Sequence, residues 1–136
     1  MELLANVNYY LYSILNCGKF YVNEILVITL NPCNHDFLNL AVPIDIMQHV
    51  VQVESSGNPY AIGVVGARLQ RQPKNLTEAV ATAKMLEQRG YNFSLGISQV
   101  NRHNLSKYGL TSYEHAFQVC PNLHAGSRIL KECFDR

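Results

Sequence analysis

From Pro43 onward the chain carries apolar residues at helical spacing: Ile46, Met47, Val50 and Val53 recur three or four positions apart. Pro43 suits a first helical position, and Asp45 just behind it complements the positive end of the helix dipole. The run Ser55-Ser56-Gly57-Asn58-Pro59 then ends the helix. A second helix is predicted to start at Asn75, with Glu78 three residues on as a capping-box-like pair. It runs through Leu76, Val80, Ala83 and Leu86 to Gly90, a natural residue to follow a helix end. From Tyr91 to Gln99 the pattern switches to large apolar alternating with small or polar residues, the period of an extended segment. Short helices follow: Asn101 to Tyr108, stopped by Gly109, then one capped by Thr111 and Glu114. Pro121 opens the last helix, with Leu123, Gly126, Leu130 and Cys133 on one stripe. The predicted fold class is mainly α, an α+β arrangement in which a helical domain carries a small extended or β element.

Composition narrows this picture. The 136 residues make one domain, 48% apolar and 15% charged, enough for a sizeable core under a thinly charged surface. A net charge of +1 gives no electrostatic reason to bind nucleic acid or an anionic membrane, so no nucleic-acid partner is expected. The longest clean apolar run, Ile25 to Leu30, falls far short of the ~20 residues of a membrane helix, so no membrane span is predicted. Cys17, Cys33, Cys120 and Cys133 show no CxxC spacing, and His35, His49, His103, His115 and His124 form no ligand-like pattern with them. No metal site and no cofactor are expected.

The even cysteine number permits disulfides in an exported chain. Cys120 and Cys133 cannot pair with each other across a continuous helix, because thirteen residues of helix span roughly 20 Å and disulfide Cα atoms lie within about 7 Å. Each requires Cys17, Cys33 or another chain. Residues 1–39 are rich in Tyr, Asn and Leu, and Lys19 is their first basic residue. The run from Leu26 to Cys33 resembles a short signal core but follows Glu24 rather than Lys or Arg, so no clear signal peptide is present. Residues 1–39 are taken as an N-terminal extension of unknown role, and 40–136 as the folded domain.

One residue breaks the helical pattern. Glu54 lies four positions after Val50 and seven after Met47, on the apolar face and in the last turn of its helix. Burial and the negative helix end both penalise its charged form and push its pKa up, as a general acid requires. A helix end that turns such a Glu out to solvent is the competing expectation.

Motifs bear on this choice. Glu54-Ser55-Ser56-Gly57-Asn58-Pro59 resembles the E-S-x-x-N-P signature of the soluble lytic transglycosylases, which share the goose-type lysozyme fold. Gly96-Ile97-Ser98-Gln99-Val100-Asn101 is similar to that family's second motif, and Asn122 to Leu130 to its third, N-[IL]-x-x-G-x-x-x-L. The intervening Tyr60 to Gly66, Arg71-Gln72-Pro73 and the Asn75–Gly90 helix resemble the branch attached to type IV secretion and conjugation systems.

The resemblance implies a lysozyme-like fold, a periplasmic location and cleavage of the β-1,4 bond between N-acetylmuramic acid and N-acetylglucosamine in peptidoglycan glycan strands. The product would be a 1,6-anhydro sugar, and the cut would open the wall for a type IV secretion or conjugation apparatus, whose components are candidate partners. A glycosidase ordinarily needs two carboxylates. Here the motifs hold one, and the family chemistry supplies the other role from the sugar's own 6-hydroxyl. Glu54 would therefore be the catalytic residue, with Ser98, Gln99 and Asn101 binding substrate. For Gln99 a local role bridging backbone, and for Asn101 a helix cap, compete with or accompany that reading. Ser55 is expected to serve as a backbone partner at the helix end, Arg68, Arg71 and Lys74 to form a solvated loop, and Tyr91 and Phe93 to pack in the core.

Ser98 replaces the usual Met or Gly of the second motif, and Gly63 stands where many members have serine. The family's A-Y-N-A-G motif has no counterpart among the residues up to Arg136, so Tyr60, Tyr108 and Tyr113 are candidates for its tyrosine. A catalytically impaired peptidoglycan-binding or assembly module of the same fold is the alternative expectation.

Overall fold

The apolar spacing after Pro43 becomes α1 (Ile44–Ser55), which turns Met47, Val50, Val51 and Glu54 into the interior. The computed structural model describes Leu3, Leu4, Cys33 and residues 39–136. The rest of the predicted 1–39 extension, including Cys17 and most of the signal-like run, lies outside the described residues. Pro43 stands one place earlier than expected: it caps α1 with extended ψ, and its carbonyl accepts from the N–H groups of Ile46 and Met47.

Beyond the α1 stop, β2 (Ile62–Val64) and β3 (Arg68–Leu69) precede α2 (Leu76–Gln88). Strand β1 (Leu3–Leu4) pairs antiparallel with β3. The α2 cap is as predicted: the Asn75 side chain accepts from the Glu78 N–H at 2.9 Å, and Gly90 takes the left-handed φ of +75° that ends the helix. Leu76 departs from the expected stripe and stays 38% exposed, because the buried face is set by Ala79, Val80, Thr82, Ala83 and Leu86.

The segment predicted as extended from Tyr91 to Gln99 is broken. Strand β4 (Phe93–Leu95) ends at Gly96, whose φ is +82°, and Gln99 sits at φ +53° before β5 (Val100–Asn101). Alternating polarity cannot distinguish a strand from a strand that turns back on itself. The result is a hairpin in the antiparallel sheet β2-β4-β5, with Ile62 opposite Leu95 and Ser94 opposite Asn101.

The helix predicted from Asn101 resolves into two 3₁₀ turns, Arg102–Asn104 and Ser106–Tyr108, ended by Gly109 as expected. The short α3 (Tyr113–Ala116) is capped by Ser112, whose hydroxyl accepts from the His115 N–H, rather than by Thr111. The last helix, α4 (Val119–Phe134), begins two residues before Pro121. A proline is tolerated there because first-turn N–H groups have no intrahelical partner. These elements form the mainly α fold with a small antiparallel sheet that the sequence predicts.

Helix α4 separates two apolar clusters. Ala125 and Ile129 join the sheet, α2 and the 3₁₀ turns around Phe93, Leu95 and Leu105. Leu123 and Leu130 join Met47, Val50 and Val51 of α1, together with Cys33. Cys33 is bonded to Cys120 in the first turn of α4, a pairing the helix geometry left open, and Cys133 is disulfide-bonded as well. The bridge ties the approach to α1 onto α4, where the Ala41 N–H also donates to the Ser127 hydroxyl at 3.1 Å.

Cross-linking residues 87 apart removes about 4–5 kcal/mol of unfolded-chain entropy in the loop-closure account. Replacing Cys120 with serine is expected to lower stability by about 2–4 kcal/mol, read as a fall in Tm. An unchanged Tm would show that the apolar contacts alone hold α1 against α4.

Candidate active site

Glu54 occupies the last turn of α1 and is 3% exposed, so the burial expectation holds and the solvent-facing one does not. The helix stops within two residues of it. Ser56 takes a left-handed φ of +52°, its N–H bonded to the Gln52 carbonyl, and Gly57 follows at +78°. No basic residue lies in that last turn to offset the negative helix end. Burial and the dipole therefore act in one direction, favouring the neutral carboxylic acid over the carboxylate.

Ser55 fixes the helix end to the hairpin turn. Its hydroxyl donates to the Ile97 carbonyl at 2.7 Å, lies 3.1 Å from the Val51 carbonyl, and accepts from the Gly57 N–H at 3.2 Å. This is the backbone role expected for it. Through that bond the catalytic candidate and the second motif become neighbours, although 42 positions separate Glu54 from Gly96.

Within the turn, Gln99 is 5% exposed and its side-chain amide donates to the carbonyls of Ala61 and Gly96, at 2.9 and 3.0 Å. It thus pins β2 to the hairpin, the local role that competed with substrate binding. Gly63 completes this contact: a Cβ there would come within 2.7 Å of the Gln99 Oε1. Ser98 is fully enclosed, and its Oγ has no hydrogen-bond partner among the described residues. A Cβ on Gly126 would collide with it, so the small residue of the third motif exists to admit the turn. Asn101 is half-buried. Its Oδ1 accepts from the His103 N–H, and its amide donates to Asn92 Oδ1 at 2.9 Å. Both the capping role and partial accessibility are therefore present at Asn101.

Asn122 carries more of the site than its sequence position suggested. It is fully buried, accepts from the Ser98 N–H at 2.8 Å, and donates to the carbonyls of Leu95 and Ala116 at 3.0 and 2.8 Å. A Cβ on Gly96 would overlap its amide. The sequence placed Asn122 in the third motif without a role; a buried amide facing three backbone groups of other segments leaves no local signature.

Two of the three candidate tyrosines have hydroxyls bonded to glutamates outside the turn. Tyr108 donates to Glu132 at 2.6 Å, and Tyr113 to Glu87 at 2.9 Å. Burial, helped by the Glu87 carboxylate, pushes the Tyr113 phenol up to about 12, so it remains a donor across neutral pH. Tyr60 is half-buried against the sheet cluster. Phe93 lies wholly in the core and Tyr91 packs against the same cluster, as expected; Arg71 and Lys74 lie in an exposed loop, whereas Arg68, also exposed, belongs to strand β3.

With this geometry in hand, residues 37–136 match the Transglycosylase SLT domain family. The chain belongs to that family. It is also similar to the type IV secretion system protein virB1 of Brucella abortus, Brucella melitensis and Brucella suis, at 62% identity over 90 residues. That alignment takes in 66% of this chain and 37% of each relative, so the chain spans well under half the length of those proteins. No solved structure matches it. Among the described residues there is no His, Cys, Asp and Glu grouping able to hold a metal, and no helix is long and apolar enough to cross a membrane.

Ser98 in the turn and Asn122, which closes that turn from α4, should respond oppositely to truncation. Asn122→Ala orphans three buried backbone groups and should destabilise the family fold by about 3 kcal/mol or more. Ser98→Ala removes a hydroxyl that has no partner and should be neutral or mildly stabilising. Denaturant unfolding of both variants checks this, and a costly Ser98→Ala would mean that the hydroxyl is bonded.

Proposed function

We propose that the chain is a peptidoglycan lytic transglycosylase that cleaves the β-1,4 bond between N-acetylmuramic acid and N-acetylglucosamine and leaves 1,6-anhydro ends. The single observation that carries this reading is Glu54: a carboxyl group buried to 3% exposure at a helix C-terminus, within the residues that match the Transglycosylase SLT domain family. Burial favours the neutral form of such a group, which can deliver its proton where water is excluded. In the first step Glu54 gives its proton to the glycosidic oxygen as the bond from that oxygen to the anomeric carbon breaks. The N-acetyl group of the same sugar assists at that carbon. In the second step the resulting carboxylate takes the proton of the sugar's 6-hydroxyl while its oxygen closes on the anomeric carbon. Glu54 ends as it began, protonated, and no water is consumed.

A tethered nucleophile also explains how one carboxylate suffices, since an intramolecular hydroxyl carries a large effective concentration. Asn101, half-buried at the end of β5, is the residue of the second motif with surface available to a sugar. Gln99 and Ser98 contribute by holding the turn that presents it. The likeness to virB1 proteins supports a role in opening the wall for a type IV secretion apparatus, with its components as partners. The Cys33–Cys120 disulfide supports an oxidising compartment, the periplasm, because such bonds do not persist among cytosolic reductants.

The test is mass spectrometry of sugars released from purified peptidoglycan. Anhydro-muropeptides from the native chain, reduced at least ~10³-fold in Glu54→Gln with sacculus binding retained, are expected for loss of the acid. Reducing ends would instead indicate a hydrolase. Bound sacculi with no product would indicate a binding module.

A further inference from the structure

The two faces of the β2-β4-β5 sheet differ in chemistry. Ile62, Phe93, Leu95 and Val100 turn into the core cluster, and Val64 packs against it. Side chains alternate along a strand, so Gly63, Ser94 and Asn101 share the opposite face. The register sets these three in one row, with Gly63 opposite Ser94 and Ser94 opposite Asn101. The Gln99 amide lies on the same face, because a Cβ on Gly63 would point at its Oε1, 2.7 Å away. One end of the row thus adjoins the turn that Ser55 bonds beside Glu54, and the other is Asn101.

Ser94 is the middle of this row and is 8% exposed. Its Oγ accepts from the Asn101 amide at the long distance of 3.5 Å, while the shorter bond of that amide, 2.9 Å, goes to Asn92 Oδ1. A hydroxyl also has one hydrogen to donate, and among the described residues nothing accepts that of Ser94. Enclosing a hydroxyl without an acceptor is unfavourable. Ser98 has the same deficit, but its side chain lies against Gly126 of α4. Ser94 instead lies on the polar face that leads from the Gln99 turn. We infer that the Ser94 hydroxyl donates to an oxygen of the bound glycan, and that Asn101 positions it to do so. This rests on the peptidoglycan reading above. With one Oγ lone pair turned to Asn101, the hydrogen points away from β5, across the face toward β2. The chemistry of the hydroxyl defines the ligand atom as an acceptor, which a sugar offers in its hydroxyl, ring and N-acetyl carbonyl oxygens. Ser94 stands two residues before Gly96, ahead of the second motif, so no motif records it.

The experiment measures, by calorimetry on the full chain and its variants, the affinity for the tetramer of N-acetylglucosamine, together with the Tm of each protein. Ser94→Ala should bind about tenfold more weakly, the loss of one hydrogen bond to the ligand, with Tm unchanged or slightly raised. Asn101→Ala should weaken binding as well. In a chain that already lacks the Ser94 hydroxyl it should weaken binding by a smaller factor, because part of its effect passes through that hydroxyl. Unchanged affinity in Ser94→Ala would overturn the inference. So would a fall in Tm without a fall in affinity, which would mean that the hydroxyl is bonded within the protein. Equal factors for Asn101→Ala in both backgrounds would overturn its positioning role. Each of these results leaves the transglycosylase reading standing if the native chain releases anhydro-muropeptides from sacculi. A native chain that neither binds the tetramer nor releases sugar would overturn both.

Discussion

The fully buried amide of Asn122 is the interaction on which the rest of the site depends. Three backbone groups from the hairpin and from the end of α3 meet it: the Ser98 N–H and the carbonyls of Leu95 and Ala116. None can reach water, and an unpaired buried peptide group costs about 1–3 kcal/mol. One side chain on α4 therefore closes a turn that the hairpin could not close alone. The same constraint accounts for Gly96, where any side chain would occupy the space the amide needs. It accounts equally for Gly126, one helical turn along, where the Ser98 side chain lies against the helix backbone.

From that anchor the geometry of Glu54 follows. Asn122 holds the turn, the turn presents the Ile97 carbonyl, and Ser55 binds that carbonyl from the end of α1. Gln99, in the same turn, reaches the other way and bonds β2. A carboxyl group buried at a helix C-terminus is unfavourable in the charged state. The Ser55 hydroxyl, bonded to the Ile97 carbonyl, fixes this helix end against the turn. In the second motif the Ser98 N–H and the Gln99 amide bond protein groups, and the position of Asn101 leaves it partly accessible.

Stability and location are linked through the cysteines. The Cys33–Cys120 bridge lies in the cluster that buries Met47 and Val50, so it secures α1 against α4, the helix that carries Asn122. A fold stapled in this way reaches full stability where thiols are oxidised.

The order and kind of most elements follow from local pattern, because helical periodicity, Asn and Gly caps and Pro-Gly stops act over a few residues. The α1 stop at Ser55, the Asn75 cap and the Gly90 and Gly109 terminators were all legible for this reason. So was Glu54 as an exception on an apolar face. Local pattern was blind to the break in the 91–99 segment, where two residues at positive φ convert an alternating run into a hairpin. It was equally blind to Asn122, whose partners lie on other segments, and to which cysteine Cys120 would find. Those were decided only by tertiary structure, since hydrogen bonds and disulfides between distant segments depend on the distance and direction of groups that no spacing in the chain records.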